Sequence, residues 1–209
     1  MKIVVSLGSG GNLREKIERA LKEGADLVEV RVDLIWGRPP PIEEVSSLIY
    51  GLNGRVVLTV RSRAQGGAAD AQDREWIERA SEICCYVDVE YENSGVRVSN
   101  AIYSWHDPSG TPNSEELVRI AERMLRLGGI AKLVTLARDE LEAYRLLSLY
   151  RKLDHGGRLV AFCMGEKASF SRRLSALLGS PLVYCYLDSP TAEGQLSLRE
   201  ALLLRELLC

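Results

Sequence analysis

The sequence has no apolar run longer than a strand. Stretches such as Leu159–Met164 fall far short of the roughly 20 residues that a membrane-spanning helix needs, and 3–7 is too short and too early for a signal-peptide core. It has no run of like charge either. Its 27 basic and 29 acidic residues leave a formal charge of -2, which removes the electrostatic case for nucleic acid or an anionic membrane as partner. Histidine is scarce, at two residues, and the five cysteines show no metal-ligand spacing, so a zinc site has no support. Cys84 and Cys85 are badly placed to bridge each other, and the odd total points to buried thiols. A cross-strand Cys163–Cys185 disulfide is conceivable only in a hyperthermophile, towards which the five Asn and three Gln lean weakly. The expectation is a cytoplasmic protein, one domain over residues 1–209, whose partner is a small molecule.

What is present is an alternation of two patterns from end to end. Short β-branched runs begin near Lys2, Asp26, Arg55, Cys85, Asn100, Ile130, Arg158 and Leu182. Between them lie amphipathic stretches at helical spacing over 12–23, 41–50, 73–81, 114–127, 139–153, 169–178 and 197–208. Asn12 with Glu15, Asn113 with Glu116 and Ser197 with Glu200 each place a capping acceptor three residues before a Glu. Eight such units with near-continuous apolar strands predict a closed parallel (β/α)8 TIM barrel. Only 15 residues separate Cys85 from Asn100, so the helix after the fourth strand should be short or missing. An open doubly wound sheet is the rival; its glycine loop, Gly8-Ser9-Gly10-Gly11, lacks the third glycine of a dinucleotide fingerprint because Leu13 stands there.

Barrel enzymes react at the carboxyl ends of their strands, so polar residues there are informative. In the second strand Glu29, Arg31 and Asp33 alternate with valines, which directs all three charges to one side. Of six lysines, Lys132 alone sits inside a strand, between Ala131 and Leu133. Apolar surroundings disfavour its ammonium form, and a neutral amine is what Schiff-base chemistry with a carbonyl compound requires. His106 ends the preceding strand, close enough to converge with Lys132 on one ligand, whereas His155 reads as a turn residue in solvent. Arg61 ends the third strand and Asp88 and Glu90 the fourth; Ser171-Arg172 opens a helix, where an arginine beside free backbone N–H groups makes a carboxylate clamp. Arg173 beside it warns that one of the pair faces solvent. A structural ion network accounts for some of the same residues equally well.

Taken in order, the blocks Val4-Val5-Ser6-Leu7, Glu29-Val30-Arg31-Val32-Asp33, Leu58-Thr59-Val60-Arg61-Ser62, Tyr86-Val87-Asp88-Val89-Glu90, Ser104-Trp105-His106-Asp107, Ala131-Lys132-Leu133-Val134, Met164-Gly165 and Thr191-Ala192-Glu193-Gly194-Gln195-Leu196-Ser197 resemble type I 3-dehydroquinate dehydratase, the lysine-dependent dehydratase of the shikimate pathway. The resemblance implies a (β/α)8 barrel, a homodimer, and no metal or organic cofactor. It implies that Lys132 forms an iminium with the ring ketone of 3-dehydroquinate and that His106 is base and then acid on the way to 3-dehydroshikimate. Glu29, Arg31 and Arg61 match residues that hold substrate hydroxyls and order the charges. Arg172 and Gln195 match the carboxylate grip, and Ser6 and Thr191 match smaller polar contacts.

Three departures stand out. Gln65-Gly66-Gly67 replaces the family's Glu-Gly-Gly, so a neutral amide stands where a carboxylate supports the histidine, which should make His106 a weaker base. Pro108 replaces an aromatic and should loosen the pocket wall. The first strand opens at Lys2 without the hairpin that covers the floor in longer relatives, leaving Lys2 to cover it. Two other functions stay open: a class I Schiff-base aldolase on the same barrel, disfavoured because Glu166 and Glu193 occupy the loops where a phosphate would bind, and a barrel that binds a carboxylate without turnover. The apolar face of 198–208 is the expected dimer surface.

Overall fold

Runs of Val, Ile and Leu bounded by turn residues favour extended backbone, since branching at Cβ suits a pleated, packed surface. In the computed structural model, which describes residues 1–208, these runs form β1 (Lys2–Leu7), β2 (Leu27–Arg31), β3 (Val56–Thr59), β4 (Tyr86–Glu90), β5 (Ala101–Asp107), β6 (Ile130–Leu136), β7 (Leu159–Met164) and β8 (Leu182–Tyr186). Helix α1 (Leu13–Lys22) follows β1, α2 (Val32–Trp36) and α3 (Ile42–Leu48) follow β2, and α4 (Arg74–Ile83) follows β3. Then α5 (Ser114–Leu125) follows β5, α6 (Glu140–Leu147) and α7 (Leu149–Lys152) follow β6, α8 (Phe170–Leu177) follows β7, and α9 (Leu198–Leu208) follows β8. Between β4 and β5 stands only the 3-10 turn Tyr91–Asn93.

The caps have the chemistry of their sequence. The Asn12 and Asn113 side chains accept from the N–H of Glu15 and Glu116, and Ser197 and Glu200 cap each other reciprocally. Asp73 and Asp139 do the same for α4 and α6. The second strand is shorter than expected. It ends at Arg31, and Asp33 lies instead in the single turn of α2, fully buried, where its carboxylate takes the Arg31 fork at 2.9 and 2.7 Å and the N–H of Ala68 at 3.1 Å. A charged group removed from water must be matched in this way, and here the match bends the chain out of the strand.

All strand pairings are parallel, and the eight strands run in the order β7-β6-β5-β4-β3-β2-β1-β8. The expected ring of eight is modified at one place. The two-residue strand β9 (Leu196–Ser197) pairs with β8 through Cys185 and Tyr186, so the hydrogen-bonded ladder has nine strands, with β7 at one end and β9 at the other. Across that seam the rings of Phe162 and Tyr184 lie 6.5 Å apart. Cys163 and Cys185 remain free thiols; Cys163 Sγ contacts Thr135 Oγ1 and Cys185 Sγ the carbonyl of Val4, so they do not form the cross-strand bridge.

Alternation along each strand divides the core in two. Outward residues such as Ile3, Val28, Leu58, Val87, Tyr103, Leu133 and Ala161 pack under the helices. Inward residues Val4, Leu27, Val57, Ile102, Val160 and Leu182 form a separate apolar cluster at the floor, packed against Tyr86 and Ile130. Lys2 lies over the Tyr86 ring at 5.8 Å. Two residues further along each strand, the inward positions become Ser6, Glu29, Thr59, Asp88, Ser104, Lys132, Phe162 and Tyr184. The sequence thus lays a dry floor beneath a polar storey.

Two substitutions test this construction. Leu133→Ala, at a fully buried outward position, should lower stability by about 2–5 kcal/mol, read from urea denaturation. At Gly67 an added Cβ would fall 2.2 Å from the Arg61 carbonyl oxygen, so Gly67→Ala should displace the loop after β3 and lower the melting temperature, while Gly66→Ala, against open space but at φ +80°, should cost only about 1 kcal/mol.

Candidate active site

At the carboxyl end of the strands a cavity open to solvent gathers nine of the residues singled out in the sequence: Ser6, Glu29, Arg31, Arg61, His106, Lys132, Arg172, Thr191 and Gln195. They come from β1, β2, β5, β6, α8 and the loops after β3 and β8, so only the parallel, curled sheet brings them to one wall. Pro108, by contrast, is exposed and does not line the cavity, so it does not form the pocket wall. His155 stays in its turn, with its ring edge-on to Tyr150.

The carboxylates are committed first. Glu29 accepts from Ser6 Oγ at 2.6 Å and from Thr59 Oγ1 at 2.8 Å. Arg61 Nη1 donates to Glu90 at 3.1 Å, to Ser104 Oγ at 2.8 Å and to Gln65 Oε1 at 3.2 Å. Its Nη2 lies 2.7 Å from Asp88 Oδ2, off the axis of a hydrogen bond and therefore a pairing of charges, while Ser104 donates to the other Asp88 oxygen at 2.6 Å. Arg31 is matched by Asp33. These buried pairs hold one another and leave little valence for a ligand.

Lys132 is treated differently. Its Nζ lies 4.0 Å from Glu29 and 3.8 Å from Asp88, beyond hydrogen-bond length from both, and 4.1 Å from the centre of the Tyr184 ring. Only 5% of the residue is exposed. Burial lowers its pKa from the usual 10.5; Glu29 and Asp88 oppose that shift, and Arg61 and Arg31 assist it. The result is an amine with anions near enough to favour a cation but none close enough to accept a hydrogen bond from it.

His106 faces the cavity from the top of β5. Its Nδ1 lies 3.1 Å from Gln65 Oε1, and its backbone N–H donates to the same oxygen at 3.1 Å. Arg61 also donates there, so two obligate donors, its guanidinium and the His106 main-chain N–H, identify that atom as the carbonyl oxygen. The imidazole must then carry its proton on Nδ1, leaving the Nε2 lone pair free. Burial, and then the cations Arg61, Lys132, Arg31 and Arg172, hold its pKa well below the usual 6.5.

Arg172 is the cation without a carboxylate. It is 6% exposed, stacks 4.4 Å over Phe162, donates only to the Glu193 carbonyl at 3.3 Å, and its Nε has no partner. Burial lowers its pKa to about 10. Arg173 points outward to Glu200, which separates the two neighbours as cavity and solvent residues. Nearby, Gln195 Oε1 accepts from the Thr191 N–H at 2.8 Å and its hydroxyl at 3.1 Å, so the amide hydrogens of Gln195 are left for something else.

Three residues of the site, Tyr184, Thr59 and Ser104, were not expected from the sequence. The last two could have been found by strand alternation, as Thr59 precedes Arg61 and Ser104 precedes His106 by two positions. Tyr184, whose ring lies against Lys132, carries a buried hydroxyl without a partner, and burial raises its pKa well above 10. Among the described residues no group of three or more His, Cys, Asp or Glu side chains is placed to hold a metal ion, and no helix is long and apolar enough to cross a membrane.

A family model described as Type I 3-dehydroquinase matches residues 3–208. The chain is 31% identical to a 3-dehydroquinate dehydratase of Methanopyrus kandleri, over 99% of this chain and 100% of that one. It is 34% identical to one of Archaeoglobus fulgidus over 96% of each. The crystal structure of the 3-dehydroquinate dehydratase from Aquifex aeolicus superposes with a TM-score of 0.85 at 28% identity, covering 99% of this chain and 98% of that chain. A family model spanning nearly the whole chain, and relatives matched from end to end, make this chain a member of the type I 3-dehydroquinase family.

Proposed function

We propose that the protein removes water from 3-dehydroquinate to give 3-dehydroshikimate, through an imine on Lys132. The observation that carries the reading is the setting of that amine: buried, where desolvation disfavours its charged form, and making no hydrogen bond to Glu29 or Asp88. Nitrogen attack on the ring ketone, followed by loss of one water, gives the protonated imine. The two carboxylates at about 4 Å then stabilise the cation that the reaction creates, in a medium where such an interaction is strong.

The cationic carbon–nitrogen bond draws electrons from the adjacent carbon. His106 Nε2 takes the proton released there, and the imidazolium returns it to the departing hydroxyl, so the carbon–oxygen bond breaks with water as the leaving group. Hydrolysis of the imine restores the amine and frees the product. Arg172 supplies the uncompensated positive charge that the substrate carboxylate needs, with the free amide hydrogens of Gln195 beside it. Ser6, Glu29, Arg31, Arg61 and Thr191 complete the polar wall around the hydroxyls.

In this proposal the strands act as a closed barrel, with the Phe162 and Tyr184 rings and β9 filling the gap between β7 and β8. The working form is a cytoplasmic homodimer, and on α9 the exposed Leu203, Leu207 and Leu208 lie free for a partner copy while Leu198, Ala201 and Leu204 serve the barrel itself.

Borohydride added with 3-dehydroquinate should fix the ligand to Lys132, found by peptide mass mapping; an adduct on another lysine, or none, would overturn the assignment. Lys132→Ala should abolish both trapping and the ultraviolet absorbance of the conjugated product. His106→Ala should still be trapped, but should turn over at least ~10²-fold more slowly. Arg172→Met should raise KM by roughly 10²-fold, as expected when the cationic partner of a buried carboxylate is removed. Because His106 must be neutral to act as base and its pKa is depressed, kcat/KM should rise with pH along a limb centred below 6.5.

A further inference from the structure

The connection between β4 and β5 is the shortest among β1 to β8, and it holds no α-helix. In the 3-10 turn Tyr91–Asn93, Glu92 reaches back over the top of the sheet, and its carboxylate accepts a hydrogen bond from Gln65 Nε2. The opposite end of that amide is the oxygen shared by the His106 N–H, His106 Nδ1 and Arg61. Gln65 is buried, and Glu92 is exposed on the rim. The three side chains form a chain from solvent to the cavity: carboxylate, amide, imidazole.

We propose that Glu92 is a positioning residue for His106: by taking the Gln65 amide hydrogen it holds the amide in one orientation, which keeps the imidazole proton on Nδ1 and the Nε2 lone pair towards the ligand. The inference rests on the reading of His106 as the base. An amide can rotate by half a turn with little change of shape, and the rotated form would point NH2 at the His106 N–H and at Arg61, donor against donor. Arg61 and the main chain disfavour that rotation from inside. Glu92 disfavours it from outside and also polarises the amide, so that its oxygen is a stronger acceptor for the imidazole N–H.

This accounts for how the chain works with glutamine in place of the family's glutamate. The anion is not lost; it is moved one residue outward, to a side chain supplied by the neighbouring turn. His106 faces cations on every other side: Arg61 after β3, Lys132 on β6, Arg31 at the end of β2 and Arg172 on α8. Glu90 on β4 is taken up by Arg61 and the Ser62 N–H, and Asp107 on its own strand by Ser109. Glu92 is therefore the anion that reaches His106 through a single intervening group.

The test uses full-length protein and compares Glu92→Ala, Glu92→Gln and the exchange Gln65→Glu/Glu92→Gln. Glu92→Ala should lower kcat about 5- to 10-fold with KM changed less than about 2-fold, the loss of one charged hydrogen bond felt through a positioned group. Glu92→Gln keeps an acceptor and should recover most of kcat, but without the charge its acid limb should move to lower pH. The exchange puts the anion directly on the imidazole and should move that limb to higher pH. Nitrogen-15 spectra of the ligand-free protein give a readout independent of turnover: the native His106 should be protonated at Nδ1 alone, and Glu92→Ala should give a mixture of both tautomers. Native kcat and a single tautomer in Glu92→Ala would overturn the inference while leaving the dehydratase reading intact. A native enzyme whose His106→Ala variant turns over normally would instead remove the reading on which it rests.

Discussion

The structure depends on taking an amine out of water without leaving it stranded. An isolated ammonium group in an apolar interior is prohibitively costly, and a fully paired one would be chemically inert. Lys132 lies between these limits. A layer of Val, Ile and Leu below it excludes solvent, and Glu29 and Asp88 stand near enough to accept a cation but too far to capture it. The curled parallel sheet is what makes this possible, because each strand can switch from apolar to polar inward residues in a single two-residue step. An equivalent amine on a helix surface would be hydrated and protonated at neutral pH.

The other charges sort by the same criterion. Arg31 with Asp33 and Arg61 with Asp88 and Glu90 are satisfied internally; they fix the shape of the wall and set the field at His106 and Lys132. Arg172 has no such partner, and its desolvation is offset only by a ring face and one carbonyl. The cations of the site therefore divide by what they already hold. The held ones build the wall, and the free one keeps an uncompensated charge at the cavity.

Much of this was legible in the sequence, and for a physical reason. Strand alternation set the direction of Glu29 and Arg31, while Lys132 stood out as the lysine inside an apolar strand and His106 as the histidine ending the strand before it. The strand beginnings lay within one residue of those expected, because β-branched runs have few alternatives. What could not be read were contacts set by three-dimensional closure. Asp33 continued the alternation on paper, yet its fit to Arg31 and the Ala68 N–H takes it into a helical turn. The pairing of Leu196–Ser197 with β8 joins residues brought together by a loop whose path no local pattern encodes. Glu92 lay in a segment distinguished in the sequence only by being short, and Pro108 was assigned to a wall it does not touch.

The seam between β7 and β8 gives the curled sheet a property that an unbroken ladder would lack. Main-chain hydrogen bonds fix the spacing of neighbouring strands to a few tenths of an ångström, whereas two tilted aromatic rings can slide. The sheet is therefore built like a split washer: its circumference can change at one place without breaking any backbone pairing. That place carries Arg172, on α8 after β7, and Thr191, in the loop after β8, on its two lips, whereas Lys132 and His106 stand on β6 and β5, in the unbroken run of backbone pairing that leads up to it.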